Sequence, residues 1–331
     1  MKAWTVNGVG APADVLEWVD RDPPTVSPGT LRVRVLVAGV SLPEVLMCRG
    51  TYPYKPAIPF TPGHEAVGVV LDPGGLSGFE VGQRVMGVTA FTEGRGGHAE
   101  EALIIGSTAS VVPEAMSDEE AAAFTIGYQT AYLGLIVRAE LSPGETLLVH
   151  GAAGGTGFPA VQLGKALGAR VIGVVSGQEK AEACRRDGAD FVIDRAQCVD
   201  GNWQVPVQEA AGVGRIDVVF DPVGGETFRG SVECLGYGGR LVAIGFASGE
   251  WGEVPTWELV SRNISLVGVL AYSPDEETAV RMTRELSGYY EKGLLEPRIG
   301  KVHSFEDVPG ALTELDERRA IGKHVIRVSD S

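Results

Sequence analysis

Seven small residues in a row, Gly151 to Gly157, interrupt the stretch "LLVHGAAGGTGFPAVQLGKALGARVIGVVS" (Leu147 to Ser176). They lie between an apolar run, "TLLVH", which predicts a strand, and an amphipathic run from Phe158 to Leu167, which predicts a helix. The rhythm then repeats. "RVIGVVS" reads as a strand and "EKAEACRRDG" as a helix, and "FVID", "DVVFD", "RLVAIGF" and "ISLVGVL" are expected to be further buried strands. Strand–helix alternation of this kind makes parallel βαβ units, hence an α/β fold with a doubly wound parallel sheet and helices on both faces.

The preceding third of the chain has a different texture. "LRVRVLVAGV" alternates Leu31, Val33, Val35 and Val37 with Arg32 and Arg34, as a half-buried strand does, and "AVGVVL" and "RVMGV" follow between Pro/Gly loops. This predicts a β-rich, barrel-like domain over residues 1–120. Ser117 and Glu120 form a capping-box pair that opens a helix. The parallel-sheet domain is expected over 121–262. Residues 263–331 then carry the last sheet strand, a helix around Glu277 to Lys292, and "KHVIRV", which returns to the first domain. A chain of 331 residues suits two domains. Its net charge of −15 argues against nucleic-acid or anionic-membrane partners. The opening "MKAWTVNGVGAPADVLEW" has no long apolar run after its charge, so no signal peptide is expected, and no stretch has a membrane helix's length. Cys48, Cys184, Cys198 and Cys234 are irregularly spaced, which fits reduced thiols in a cytoplasmic protein.

Within the small-residue run, Ala152, Gly154 and Gly157 occupy the positions of a G-x-G-x-x-G fingerprint, with Ala replacing the first Gly. Ala152, Ala153, Gly154, Gly155, Thr156 and Gly157 let backbone approach a pyrophosphate, and the helix behind them presents a positive dipole end. A strand that ended in Asp or Glu would suit NAD. The second strand ends instead in "VVSGQEK", where Ser176 and Lys180 favour a 2′-phosphate, with Arg195 after the third strand as a further cation. NADPH is therefore the expected cofactor. Ser176 and Glu179 also have capping-box spacing for the next helix.

With these stretches, "LRVRVLVAGVSLPEVLMCRGTYPYKPAIPFTPGHEAVGVV", "GGHAE", "LSPGETLLVHGAAGGTG", "FDPVGG", "GGRLVAIGFASG" and "IGKHVIRV" together resemble the medium-chain dehydrogenases/reductases. The resemblance is specifically to their zinc-independent NADPH:quinone oxidoreductase group, to which zeta-crystallin is related. The resemblance implies a GroES-like catalytic domain around a Rossmann domain, and a homodimer joined through the Rossmann sheet edge at "ISLVGVL". Ser41 stands at the position resembling the family's first zinc cysteine. His64 matches a ligand position, and the second cysteine's region, near Ile126, has no sulfur. Three protein ligands cannot be assembled there, so no metal is expected.

Without a Lewis acid, reduction of a quinone or enone is easier than alcohol oxidation. The resemblance implies Tyr52, Ser41 and Thr130 as polar groups around substrate and nicotinamide. It also implies Val223, Gly224, Gly245 and Phe246 as cofactor contacts, with Lys323 reaching the phosphates. His98, His303 and the "ELDERR" run are expected on the surface. Two alternatives remain: an enoyl-thioester reductase, and a catalytically silent NADPH-binding protein, which Ser41's departure from the group's usual Asn favours. A zinc alcohol dehydrogenase is disfavoured.

Overall fold

Alternating apolar residues set the first strands of the computed structural model, which describes residues 1–212, 216–271 and 275–329. Strands β1 (Lys2–Val6) and β2 (Leu16–Asp20) pair antiparallel across the turn of helix α1 (Pro12–Val15). In β3 (Thr30–Gly39), Leu31, Val33 and Val35 are fully buried, while Arg32 and Arg34 stay partly exposed. Helix α2 (Leu42–Cys48) follows, then β4 (Glu65–Asp72), β5 (Arg84–Val88), β6 (Glu101–Ile105) and β7 (Ser110–Val111). Helix α3 (Asp118–Tyr132) opens with the anticipated box. The Ser117 N–H donates to Glu120 Oε2 at 2.9 Å, and the Glu120 N–H to Ser117 Oγ at 3.2 Å.

Next come β8 (Thr146–His150), α4 (Gly157–Ala166), β9 (Arg170–Val175), α5 (Gln178–Arg186), β10 (Phe191–Asp194), α6 (Gln204–Ala211) and β11 (Ile216–Asp221). They are followed by α7 (Gly225–Cys234), β12 (Leu235–Ala243), α8 (Thr256–Arg262) and β13 (Ser265–Gly268). These strands make an all-parallel sheet in the order β10-β9-β8-β11-β12-β13. Every residue of β8 is buried because helices cover both faces of the sheet's centre. Leu148, Ile172, Val219, Phe228 and Leu241 belong to its core.

Helix α9 (Glu276–Glu291), β14 (Ile299–Ser304), α10 (Val308–Asp316) and β15 (Lys323–Arg327) complete the chain. Strand β15 pairs antiparallel with β3 and parallel with β14. The mixed sheet therefore runs β14-β15-β3-β4-β5-β7, with β6 on β3. One compact unit comprises Met1–Ile126, Pro274–Thr283 and Pro297–Ser331; the other comprises Gly127–Ser273 and Arg284–Glu296. The α/β class, Rossmann sheet and GroES-like β-rich domain are as anticipated. Among the described residues no helix is long and apolar enough to cross a membrane.

Three details differ from expectation. The "FVID" and "ISLVGVL" strands, the second of which the resemblance already placed at the sheet edge, are the sheet's two edges, and their side chains are partly to largely exposed rather than buried. No hairpin or β14 was anticipated, since "KAWTV" and "IGKVHS" are too short and mixed to signal strands. The Ser176–Glu179 box does not form: Gly177, at φ 99°, takes the N-cap position.

The buried His150 ends β8, with Nε2 2.8 Å from Ser231 Oγ and its ring edge-on to Trp203. Ser231 Oγ donates to the Thr227 carbonyl, so His150 Nε2 carries the proton. Burial, then the Arg195 charge, push the imidazole down to about 3 from 6.5. The unfolded chain thus takes up a proton that the folded one refuses. Stability from this group is complete above the unfolded value and falls as pH drops from 6.5 toward 3, by about 1.4 kcal/mol per pH unit. Exchange protection of the β8 amides should follow this slope, and His150→Gln should flatten it. An unchanged slope in that variant would assign the pH response to other groups.

Candidate functional site

In the parallel-sheet unit, the loops after β8, β11 and β12 meet at the carboxyl ends of the strands. The glycine turn follows β8 and passes into α4. A Cβ at Gly157 would collide with the Gly151 carbonyl, so only glycine lets the helix start against the strand end. Gly154 N–H donates to Gly151 O at 2.9 Å, and Gly157 N–H to Gly154 O at 3.0 Å. Ala152 and Ala153 are buried, and Gly154, Gly155 and Thr156 are partly exposed along the turn. Helix α4 lends its dipole to whatever anion rests there.

The loop after β11 is shaped by Asp221, whose Oδ1 accepts the N–H groups of Val223 (2.7 Å) and Gly224 (3.1 Å). Burial raises this carboxyl's pKa against those two donors, and its Oδ2 is buried with no hydrogen-bond partner. Gly224, at φ 73°, lies under the Glu250 carbonyl, where a side chain has no room. The Ser248 N–H donates to the Val223 carbonyl at 2.8 Å and the Ala247 N–H to Pro222 at 3.1 Å. These bonds draw Gly245 and Phe246 to the same edge, with Phe246 buried against Trp251. Thr130 is buried on α3, three residues after Gly127, which packs on the Gly155 carbonyl.

At the end of β9, Ser176 is exposed and Lys180 half-buried. An acid does reach this point, but from another strand. Asp194, at the end of β10, accepts the Gly177 N–H at 2.8 Å and the Ala196 N–H at 3.0 Å, and its other oxygen accepts the Gln197 amide at 3.0 Å. Arg195 donates to Thr227 Oγ1 at 3.1 Å.

The β-rich unit gathers polar groups around a buried carboxylate. Glu44 Oε1 accepts the Ser41 hydroxyl at 2.9 Å and the His64 N–H at 3.1 Å, with His64 Nδ1 at 3.4 Å. His98 Nε2 lies 3.5 Å from Glu44 Oε2. Burial would raise the Glu44 carboxyl, but the charges of His98, His64 and Lys323 and the His64 hydrogen bond outweigh it and hold it at about 2. Burial lowers His98 in turn. Neighbouring Glu65 accepts the Ile126 N–H at 2.8 Å and pairs with the Lys323 ammonium. The His64 ring stacks on Phe91 at 3.9 Å and meets Tyr52 edge-on at 6.0 Å.

The structure thus brings Ser41 and Tyr52 together around His64. Lys323, expected at the phosphates, is instead buried in the ion pair with Glu65. His98 and His303, expected on the surface, are buried, and Glu314 of the "ELDERR" run is only partly exposed. Sequence reading missed Glu44, Glu65, Asp194 and Asp221. The three-residue spacing of Ser41 and Glu44, the same as that of Ser117 and Glu120, was the available signal for one of them.

A model of alcohol dehydrogenase GroES-like domains matches residues 27–124, and one of zinc-binding dehydrogenases matches residues 155–285. The second span excludes positions 41, 64 and 126. Mouse quinone oxidoreductase-like protein 2 is 34% identical over 306 residues, covering 91% of this chain and 85% of that protein. The structure of Escherichia coli quinone oxidoreductase complexed with NADPH superposes with a TM-score of 0.89 at 27% identity, covering 99% of this chain and 100% of that one. The quinone oxidoreductase of Thermus thermophilus, also solved with NADPH, gives 0.79 at 32% identity, with 99% and 100% coverage.

Proposed function

Because the chain belongs to the quinone oxidoreductase family of medium-chain dehydrogenases/reductases, we propose that it is an NADPH-dependent reductase of quinones or α,β-unsaturated carbonyls that uses no catalytic zinc. The observation that carries this is the meeting of the loops after β8, β11 and β12 beside the β8/β11 boundary, where the strand order reverses. Bound there, NADPH supplies hydride to an electron-poor carbon.

The chain's own groups do the rest. The Gly151–Gly157 turn and α4 hold the pyrophosphate, with Val223, Gly224, Gly245 and Phe246 along the remaining length. Ser176 and Lys180 face the 2′-phosphate, and Arg195 adds positive charge from the Thr227 side. Asp194 keeps its negative charge while its oxygens accept from Gly177, Ala196 and Gln197, so Lys180 and Arg195 must outweigh it for a 2′-phosphate to bind. In the β-rich unit, Ser41 donates its hydroxyl hydrogen bond to Glu44 and therefore acts as a positioning residue rather than a donor to substrate. Tyr52 is the donor to the developing oxyanion, with Thr130 beside the nicotinamide. A preorganised donor of this kind is worth roughly 10²- to 10³-fold in rate. Zinc is set aside on donor chemistry: Ser41 is an alcohol already bonded to Glu44 and Ile126 offers hydrocarbon, which leaves the His64 imidazole as the single ligand at these three positions, where a catalytic zinc needs three. The protein is read as cytoplasmic.

NADPH oxidation should be followed with quinones, enones and enoyl thioesters. Turnover with a quinone or enone is expected, reduced in Tyr52→Phe. Turnover restricted to thioesters would replace the substrate class, and NADPH binding without turnover would favour the silent binder. Lys180→Ala should weaken NADPH by about tenfold or more while leaving NADH nearly unchanged, on the scale of a charge-assisted hydrogen bond. Equal losses would remove Lys180 from the phosphate pocket.

A homodimer through β13 belongs to the same reading. Leu266 on this edge strand is 44% exposed, and on the preceding helix α8 Trp257 is 73% and Val260 68% exposed, a costly display of apolar surface in a monomer. Sedimentation should give a dimer that Leu266→Asp shifts toward monomer. A monomeric parent chain would overturn this assembly.

A further inference from the structure

His303 lies on β14 and His324 on β15, two parallel neighbours in which His303 is level with Ile326 and His324 with Lys301. The two imidazoles are thus diagonal neighbours on one face of the sheet. Successive residues of a strand point to opposite faces, so Lys323 goes to Glu65 while His324 goes to His303. Glu314, on α10, completes the group. His303 Nε2 is 3.2 Å from His324 Nδ1 and 3.9 Å from Glu314 Oε2, and His324 Nδ1 is 3.6 Å from the same oxygen.

Hydrogen bonding accounts for only one of these separations, since 3.6 and 3.9 Å exceed its range. Tetrahedral zinc, with nitrogen and oxygen ligands at about 2.0–2.2 Å, sets its donors about 3.3–3.5 Å apart. All three distances fall within a few tenths of an ångström of that edge. The tautomer agrees as well. His303 Nδ1 is 2.9 Å from Asp307 Oδ2, so Nδ1 carries the proton and the Nε2 lone pair points to the shared centre. A carboxylate behind a ligating histidine fixes its ring in this way in metal sites. Both histidines are nearly inaccessible, while Glu314 is partly exposed and leaves a side for a water as fourth ligand. Lys301 occupies the other Glu314 oxygen at 2.6 Å, and being half-exposed it is screened by solvent.

We propose that His303, His324 and Glu314, oriented by Asp307, form a structural site for a divalent transition-metal ion of the zinc class, which pins α10 to the β14–β15 pair. The sequence reading expects no metal anywhere in the chain, so this donor set departs from that expectation; it is independent of the reductase reading.

The test titrates the full-length, chelator-stripped protein with Zn²⁺ by calorimetry and with Co²⁺ by its visible spectrum. One equivalent should bind, with Co²⁺ giving tetrahedral d–d bands and no thiolate charge-transfer band. Asp307→Asn should weaken the site by about 10- to 100-fold, and Glu314→Gln by at least as much. Both residues are partly solvent-facing, so these variants keep the fold, which circular dichroism checks. Absence of stoichiometric binding, a thiolate band, or unchanged affinity in both variants would each overturn the proposal and leave a hydrogen-bonded histidine pair.

Discussion

Two buried carboxylates organise the β-rich unit. Glu44 and Glu65 cannot sit in an apolar interior unless donors and cations surround them, because an isolated buried charge is among the costliest groups a protein can hold. The chain meets that requirement from separate places: Ser41 and the His64 amide, His98 after β5, the Ile126 amide on α3, and Lys323 at the start of β15. Satisfying the pair therefore closes both ends of the sequence onto one sheet. The same arrangement commits the Ser41 hydroxyl to Glu44 and seats the His64 ring against Phe91 and edge-on to Tyr52.

The parallel-sheet unit rests on steric exclusion rather than charge. Helix α4 starts against the end of β8 only because position 157 has no side chain, and the loop after β11 folds over itself only because position 224 has none. Asp221 then holds that loop in shape with one oxygen. The strand ends so joined come from β8, β11 and β12, and the fold places them beside the boundary where parallel sheets commonly bind nucleotides.

Much of this was legible in the residues themselves. The βαβ rhythm located each parallel strand from "TLLVH" onward, the Ser117–Glu120 spacing located the start of α3, and "KHVIRV" was read as rejoining the first domain, where β15 lies on β3. The failures share one cause. His98 and His303 are expected outside by residue type, since polar types are usually exposed, and Lys323 is expected at the phosphates by resemblance. Their burial depends on partners tens to hundreds of positions away, which local pattern does not reveal. The Ser176–Glu179 spacing misled for the opposite reason: Gly177, with its positive φ, took the cap at a position the motif ignores.

The sequence alone determined most of the elements: periodicity marks the parallel strands and the helices between them, though not β1, β2 or β14, and small residues fix where backbone must pass close to backbone or to a ligand. Tertiary structure alone decided which charges meet. Asp194 beside Gly177, Glu44 between two histidines, and His303 facing His324 and Glu314 are all products of strand order and register. Electrostatic and coordination energies depend on distances of a few ångströms, and those distances exist only once distant segments have packed.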